Sequence, residues 1–264
     1  MTSVGLLAVL FLGYEFVLSG LTEYRAQGAL LTSFKRAIVT TTLGAPSIQP
    51  AEGSPVALLD IARIGLHQVV VEGTTPSDLK SGPGHLRTSP LPGEYGNAVL
   101  AARRTTYGGP FRDLDRVRPG DTLIVTTGQG SFVYTVSVSG PVAAGEVAPF
   151  VGTSDSRLTL VTSDPAYVSS ARLVVVAMLI ETPVDVPNRP QAPIAAADLG
   201  LASDPLALWP ALLWVQLLAA AGWLAWRMAG RLPRTVLLMF AAPVLTALAL
   251  LAFSSFDAVL PGLL

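Results

Sequence analysis

Apolar residues along this chain follow three different patterns. Between residues 55 and 182 they form short β-branched runs at 56–61, 69–72, 98–102, 122–126, 132–139, 157–162 and 173–180. Turn signals at Gly65, Pro92-Gly93, Pro119-Gly120 and Gly128-Gln129-Gly130 separate them. Short strands at this spacing predict a closed β-barrel or a sandwich around one core. Ahead of them, Leu21, Leu30, Leu31, Phe34 and Ile38 interleave with Glu23, Arg25, Lys35 and Arg36. That spacing predicts an amphipathic helix over 21–39. Gly44, Pro46, Pro50 and Gly53 then make residues 40–54 a linker, the second half of a 22–54 connecting region. The prolines at 183, 187, 190 and 193 mark 183–205 as a tether.

The third pattern is unbroken apolarity. Residues 206–226 and 235–256 carry no charge, and 4–18 carry only Glu15. About 20 apolar helical residues cross a hydrocarbon core, so 206–226 and 235–256 read as transmembrane helices. A buried helical hairpin is the alternative reading. Pro210 and Pro243 are tolerable inside such helices, and Ala219, Ala220, Ala221 and Gly222 would permit close helix approach. Residues 1–21 read as a third, uncleaved span, with Glu15 at an interface.

Composition agrees with that setting. Hydrophobic residues make up 51% and charged residues 13%, and mean hydropathy is +0.54. The loop between the last two spans holds Arg227, Arg231 and Arg234 and no acid, which keeps it cytoplasmic. The expected location is therefore the plasma membrane, multi-pass, with the 22–205 region extracytoplasmic. A net charge of −1 and no basic cluster give no support for nucleic-acid binding. With no cysteine, disulfides, thiolate metal sites and a cysteine nucleophile are excluded.

Several motifs occur in order through the middle region. They are Asp60-Ile61-Ala62-Arg63-Ile64-Gly65-Leu66, Val69 to Gly73, Gly82-Pro83-Gly84-His85, and Pro92-Gly93-Glu94-Tyr95-Gly96-Asn97. Next come Ala101-Ala102-Arg103-Arg104, Thr105 to Phe111, Gly120-Asp121, Leu158-Thr159-Leu160-Val161-Thr162-Ser163 and Arg172 to Ala177. Together they resemble the sortases, membrane-anchored cysteine transpeptidases, and within them the class E, actinobacterial type. The resemblance implies an eight-stranded sortase β-barrel over 55–182, mainly β in class. Its groove would be formed by the strands bearing Arg103, Ser163 and Arg172.

In that family the Ala101–Arg104 segment usually reads A-G-H-R and the 158–163 segment T-L-x-T-C. The resemblance thus puts Arg103 at the position of the general acid, Ser163 at that of the nucleophile, and Arg172 at that of the oxyanion-steadying arginine. A serine hydroxyl needs an adjacent base, and a guanidinium cannot supply one. Sortase-type transpeptidation at a sorting-signal Thr–Gly bond is therefore expected to be lost, with no catalytic residue and no cofactor.

Other chemistry is weakly signalled. Ser77-Asp78-Leu79-Lys80 fits S-x-x-K, but also fits a serine capping a surface turn beside a solvated lysine. His67 and His85 could in principle serve Ser163, although neither lies at the general-acid position. Asp113 and Asp115 show no ligand-spaced metal cluster. The expected role is non-enzymatic: a binding or scaffold subunit of a cell-envelope complex, with lipid and an envelope or membrane protein as partners. Arg103, Ser163 and Arg172 would offer a peptide or anionic ligand two guanidinium forks beside a hydroxyl. The simpler alternative has Arg103 pointing to solvent from a strand end. The competing enzyme reading is a divergent serine transpeptidase or peptidase using Ser163.

Overall fold

A computed structural model describes residues 19–39, 49–146, 148–167, 170–186, 208–230 and 234–257. Eight strands close into one barrel: β1 (Pro55–Ile61), β2 (Leu66–Glu72), β3 (Gly84–His85), β4 (Gly96–Ala101), β5 (Thr122–Thr127), β6 (Gly130–Ala143), β7 (Ser156–Asp164) and β8 (Ala171–Leu179). Their order around the barrel is β1-β2-β3-β4-β7-β8-β6-β5, with parallel pairs only at β2–β3 and β4–β7. The expected barrel is therefore present. The sequence pattern missed β3, because two residues are too few to show a period. Gly84 is required there, since a Cβ would lie 2.1 Å from the Gly73 carbonyl oxygen.

Side-chain alternation divides the barrel wall into two faces. Leu59, Ile61, Val70, Leu100, Leu123, Val125, Leu158, Leu160 and Val175 fill the main core. On β4, β7 and β8 the opposite face is also covered: Val99, Ala101, Val161 and Val174 join Leu79, Leu86 and Phe150 in a second apolar cluster. Strands buried on both faces read as continuous apolar runs, as these do.

The helix expected over 21–39 is observed as α1 (Ser19–Val39) and packs against the barrel. Phe34 is its buried apolar anchor. Three polar side chains dock the rest. Ser19 Oγ accepts the Tyr107 N–H at 3.0 Å, and Glu23 Oε1 accepts from Gln68 Nε2 at 2.8 Å. Gln27 Nε2 donates to the carbonyls of Val69 (3.0 Å) and Ser81 (2.7 Å), while its Oε1 accepts the Val69 N–H at 2.8 Å. Gly108, at φ +75°, leaves room for Glu23, whose Oε2 would lie 2.6 Å from a Cβ there.

A separate unit contains α2 (Leu208–Met228) and α3 (Arg234–Asp257), two packed helices close to where the sequence places them. Their reading as spans is corrected. Among the described residues no helix is long and apolar enough to cross a membrane. The multi-pass placement with 22–205 outside the cell therefore does not stand. Most of the span expected at 1–21, and Glu15 within it, lies outside the described residues; the described part begins the amphipathic α1. Most of 40–54 and of 183–205 also lies outside them.

Glu23 is 5% exposed, and no cation among the described residues pairs with it. Burial raises its carboxyl from 4.5 to about 7, against a smaller lowering by the Gln68 bond. The folded state therefore holds a proton that the unfolded chain releases above 4.5, so Glu23's contribution is complete below that pH and lost as pH rises to about 7. The loss is on the order of 3 kcal/mol at most. Glu23→Gln should flatten the fall in melting temperature between those limits and exceed the parent's stability at pH 8. Parallel pH profiles for the two proteins would contradict this.

Candidate functional site

Strand register assembles the site. In the parallel β4–β7 pair, Ala101 lies opposite Val161, and the Ala102 N–H donates to the Val161 carbonyl at 3.2 Å. Arg103 and Ser163 each follow two positions later, so they leave their strands at the same level. In the antiparallel β7–β8 pair, Ser163 lies directly opposite Arg172. Odd positions on β4 and β7 and even positions on β8 share one face, so all three residues sit on the wall that carries Val161, Val174 and Phe150. The three positions singled out from sequence are thus brought together, outside the barrel interior.

All three are buried. Arg103 is 0% exposed, which removes the solvent-pointing alternative. Its Nη1 donates to Thr106 Oγ1 and its Nη2 to the Pro76 carbonyl, both at 3.0 Å. The guanidinium lies 4.8 Å from the centre of the Tyr107 ring, a cation–π distance. Tyr107 adopts φ +48°, and its own N–H is held by Ser19 of α1. Arg103 therefore ties the loop after β2 to the loop after β4.

Arg172 is held from the other side. Its guanidinium lies 4.8 Å from the Phe150 ring centre, and Nη1 donates to the Glu146 carbonyl at 3.3 Å. Its Nε is buried without a hydrogen-bond partner. Desolvation by this burial lowers the guanidinium pKa from its ordinary value. Asn97 secures the covering turn: its Nδ2 donates to the carbonyls of Pro149 (2.8 Å) and Val151 (3.1 Å), and its Oδ1 accepts from Thr159 Oγ1 at 2.6 Å.

Ser163, the next-to-last residue of β7, lies between these two arrangements. Its carbonyl accepts from Arg104 Nη1 at 2.8 Å, and the same nitrogen reaches Asp164 Oδ1 at 2.7 Å. Arg104 Nη2 lies 3.5 Å from Asp115 Oδ1, and Thr162 Oγ1 donates to the Ala102 carbonyl at 2.8 Å. Sequence reasoning passed over Arg104, although it closes the Ala101–Arg104 segment. Its position next to Arg103 was the available signal, because adjacent residues at a strand end serve opposite sides.

The remaining candidates lie elsewhere. His85 is buried, with Nδ1 2.8 Å from Glu72 Oε2 and Nε2 2.9 Å from the Pro90 carbonyl, so both ring nitrogens face acceptors. His67 pairs with Asp60 on the β1–β2 hairpin. Ser77 Oγ meets Thr75 Oγ1 at 2.8 Å, while Lys80 Nζ stands 5.4 Å from the Tyr107 ring centre, so the S-x-x-K residues form no dyad. Asp78, not Ser77, closes that turn by accepting from Thr75. Asp113 pairs with Arg116, and among the described residues no group of three or more acids and histidines could hold a metal.

Residues 59–180 match the sortase-domain family model. Sortase SrtE1 of Streptomyces coelicolor is 25% identical over 68% of this chain and 55% of its own length. Sortase D of Bacillus subtilis is 34% identical over 34% of this chain and 44% of its own. The chain spans about half the length of these curated relatives. Among solved structures, a sortase D5 transpeptidase of Clostridium perfringens superposes with a TM-score of 0.54 at 26% identity, covering 60% of this chain and 99% of that one.

Truncating Arg103 leaves the half-buried Pro76 carbonyl without its donor and empties the space beside Tyr107. Arg103→Ala should therefore destabilise the barrel by about 2–3 kcal/mol in chemical denaturation. A change below 0.5 kcal/mol, roughly what exposed positions show, would contradict the clamp.

Proposed function

We propose that this chain, whose residues 59–180 match the sortase-domain model, is a sortase-fold protein in which the transpeptidase chemistry of such proteins is silent and the barrel serves binding or scaffolding in a cell-envelope complex. The observation that carries this reading is Arg103. It stands level with Ser163, where the family resemblance puts the general acid, yet its Nη1 and Nη2 donate to Thr106 and Pro76. A guanidinium stays protonated and cannot relay a proton to or from Ser163. Neither histidine takes its place, since each is held by its own acidic neighbour.

Binding at this wall would rest on Arg172 and Ser163, with Arg103 fixing the frame. The unsatisfied Arg172 Nε is a donor suited to a carboxylate or phosphate, from a peptide C-terminus or an anionic wall polymer. Entry requires Glu146 and the Phe150 ring to move aside, because Ser163 is 0% and Arg172 5% exposed.

A serine-based transpeptidase is the second reading, favoured by the register that keeps Arg172 opposite Ser163. Mass spectrometry of the chain after incubation with sorting-signal peptides and acyl probes separates the two. The silent reading expects the Ser163-containing peptide at its unmodified mass. A stable acyl adduct on Ser163, absent in Ser163→Ala, would establish the enzyme instead.

A further inference from the structure

The first turns of α1 sit on the loop that grips Arg103. Among the described residues Tyr107, whose ring centre lies 4.8 Å from the Arg103 guanidinium, is the one non-glycine with a positive φ, +48°. Gly108 and Gly109 continue the left-handed path at +75° and +56°. A non-glycine residue stays in that region only where its surroundings hold it there. α1 supplies the hold. Ser19 Oγ accepts the Tyr107 N–H at 3.0 Å, and a Cβ on Gly20 would lie 3.5 Å from the Gly108 nitrogen. Thr106, the preceding residue, accepts from Arg103 Nη1 through its hydroxyl. Moving the start of α1 therefore moves the roof over Arg103.

Glu23 lies one turn further along α1, against the same loop. Its Oε2 takes up the space that a Cβ on Gly108 would need. Among the described residues its carboxyl has one hydrogen bond, from Gln68 Nε2 of β2. The charged and titratable groups around it are engaged elsewhere or face solvent. Tyr24 and Arg25 of α1 and Arg112 of the loop are exposed. Asp60 of β1 pairs with His67 of β2, and Glu72 of β2 pairs with His85. Asp78 accepts from Thr75, Arg104 meets Asp115 and Asp164, and Lys80 and Arg103 stand over the Tyr107 ring. A carboxyl so placed is accommodated when neutral and is costly when ionised.

We propose that Glu23 is a proton-operated latch for the Ser163 wall: neutral, it seats the start of α1 and fixes the Tyr107 loop over Arg103; ionised, it lets both part from the barrel in a minor open form. Burial raises the seated carboxyl from 4.5 to about 7, so the seated form holds a proton that the open form releases. The seated-to-open ratio is therefore highest below 4.5, falls by up to about tenfold per pH unit as pH rises to about 7, and is constant above. Once Ser19 withdraws, Tyr107 can leave the left-handed region, which favours the open form. The latch rests on the binding role proposed for this wall only for its purpose. Its motion is read at Tyr107 and Arg103, so a silent and a reactive Ser163 give the same result.

The test is hydrogen exchange of the full chain between about pH 5 and pH 8, with rates expressed as protection relative to a free peptide amide. Protection of the Tyr107 N–H should fall at least about tenfold over that range. At each pH it should stay at least about a hundredfold below that of Leu160 in the barrel core, because the opening is local. Glu23→Gln should hold Tyr107 protection level across the range, and Ser19→Ala should leave it weak throughout. Modification of Arg103 by a dicarbonyl reagent, measured against exposed Arg116, should rise severalfold with pH in the parent alone and stay below that of Arg116. Should Glu23→Gln fail to fold, the Glu23 carboxyl carbon NMR shift in the parent replaces it, and must level off where the Tyr107 profile does. A Tyr107 profile unchanged by Glu23→Gln, protection equal to that of Leu160, strong protection in Ser19→Ala, or Arg103 modification indifferent to pH would overturn the proposal.

Discussion

The pairing of β7 with a parallel neighbour on one side and an antiparallel neighbour on the other is the constraint on which the molecule's chemistry depends. It sets Arg103 level with Ser163 and puts Arg172 directly across from it. A slip of one residue in either ladder would turn one of the three to the opposite face, into the main core, where a guanidinium has no partners. The register is fixed by Leu100, Leu158, Leu160 and Val175, which cannot leave the interior without opening it.

Two arginines beside a buried serine would ordinarily repel one another and suffer desolvation. The wall manages this by giving each guanidinium an aromatic face and a backbone carbonyl: Tyr107 and Pro76 for Arg103, Phe150 and Glu146 for Arg172. Both carbonyls come from loops, so each arginine also pins a loop over the wall. Arg104 works in the opposite sense. It anchors the end of β7 through the Ser163 carbonyl and meets carboxylates at its other contacts. The result is a site that is organised and closed, in which Arg103 Nη1 and Nη2 and Arg172 Nη1 serve the fold while Arg172 Nε keeps no hydrogen-bond partner.

Much of the barrel was legible in the sequence because β-branched runs and glycine or proline turns report strands directly. The faces were not. On β4, β7 and β8 both sides are apolar, so alternation could not say that Arg103, Ser163 and Arg172 belong to the outer wall beneath Leu79 and Phe150. The helix over 21–39 was legible from its period, but its docking was not, since Glu23, Gln27 and Ser19 look like ordinary exposed polar residues until strands distant in sequence meet them. The C-terminal helices were located well, whereas their reading as membrane spans rested on hydropathy alone and did not hold. Arg103 was recognised as out of place for catalysis, yet its burial depended on Pro76, Thr106 and Tyr107, which are set only by folding.

The central claim is that Arg103 is a buried structural clamp and not an available catalytic or binding group. Nitrogen-detected NMR of the arginine side chains, with Arg103→Lys for assignment, tests it most directly. The account predicts a guanidinium in slow exchange with solvent, with hindered rotation and shifts displaced by the Tyr107 ring. Fast exchange and free rotation, like those of the exposed arginines, would contradict it.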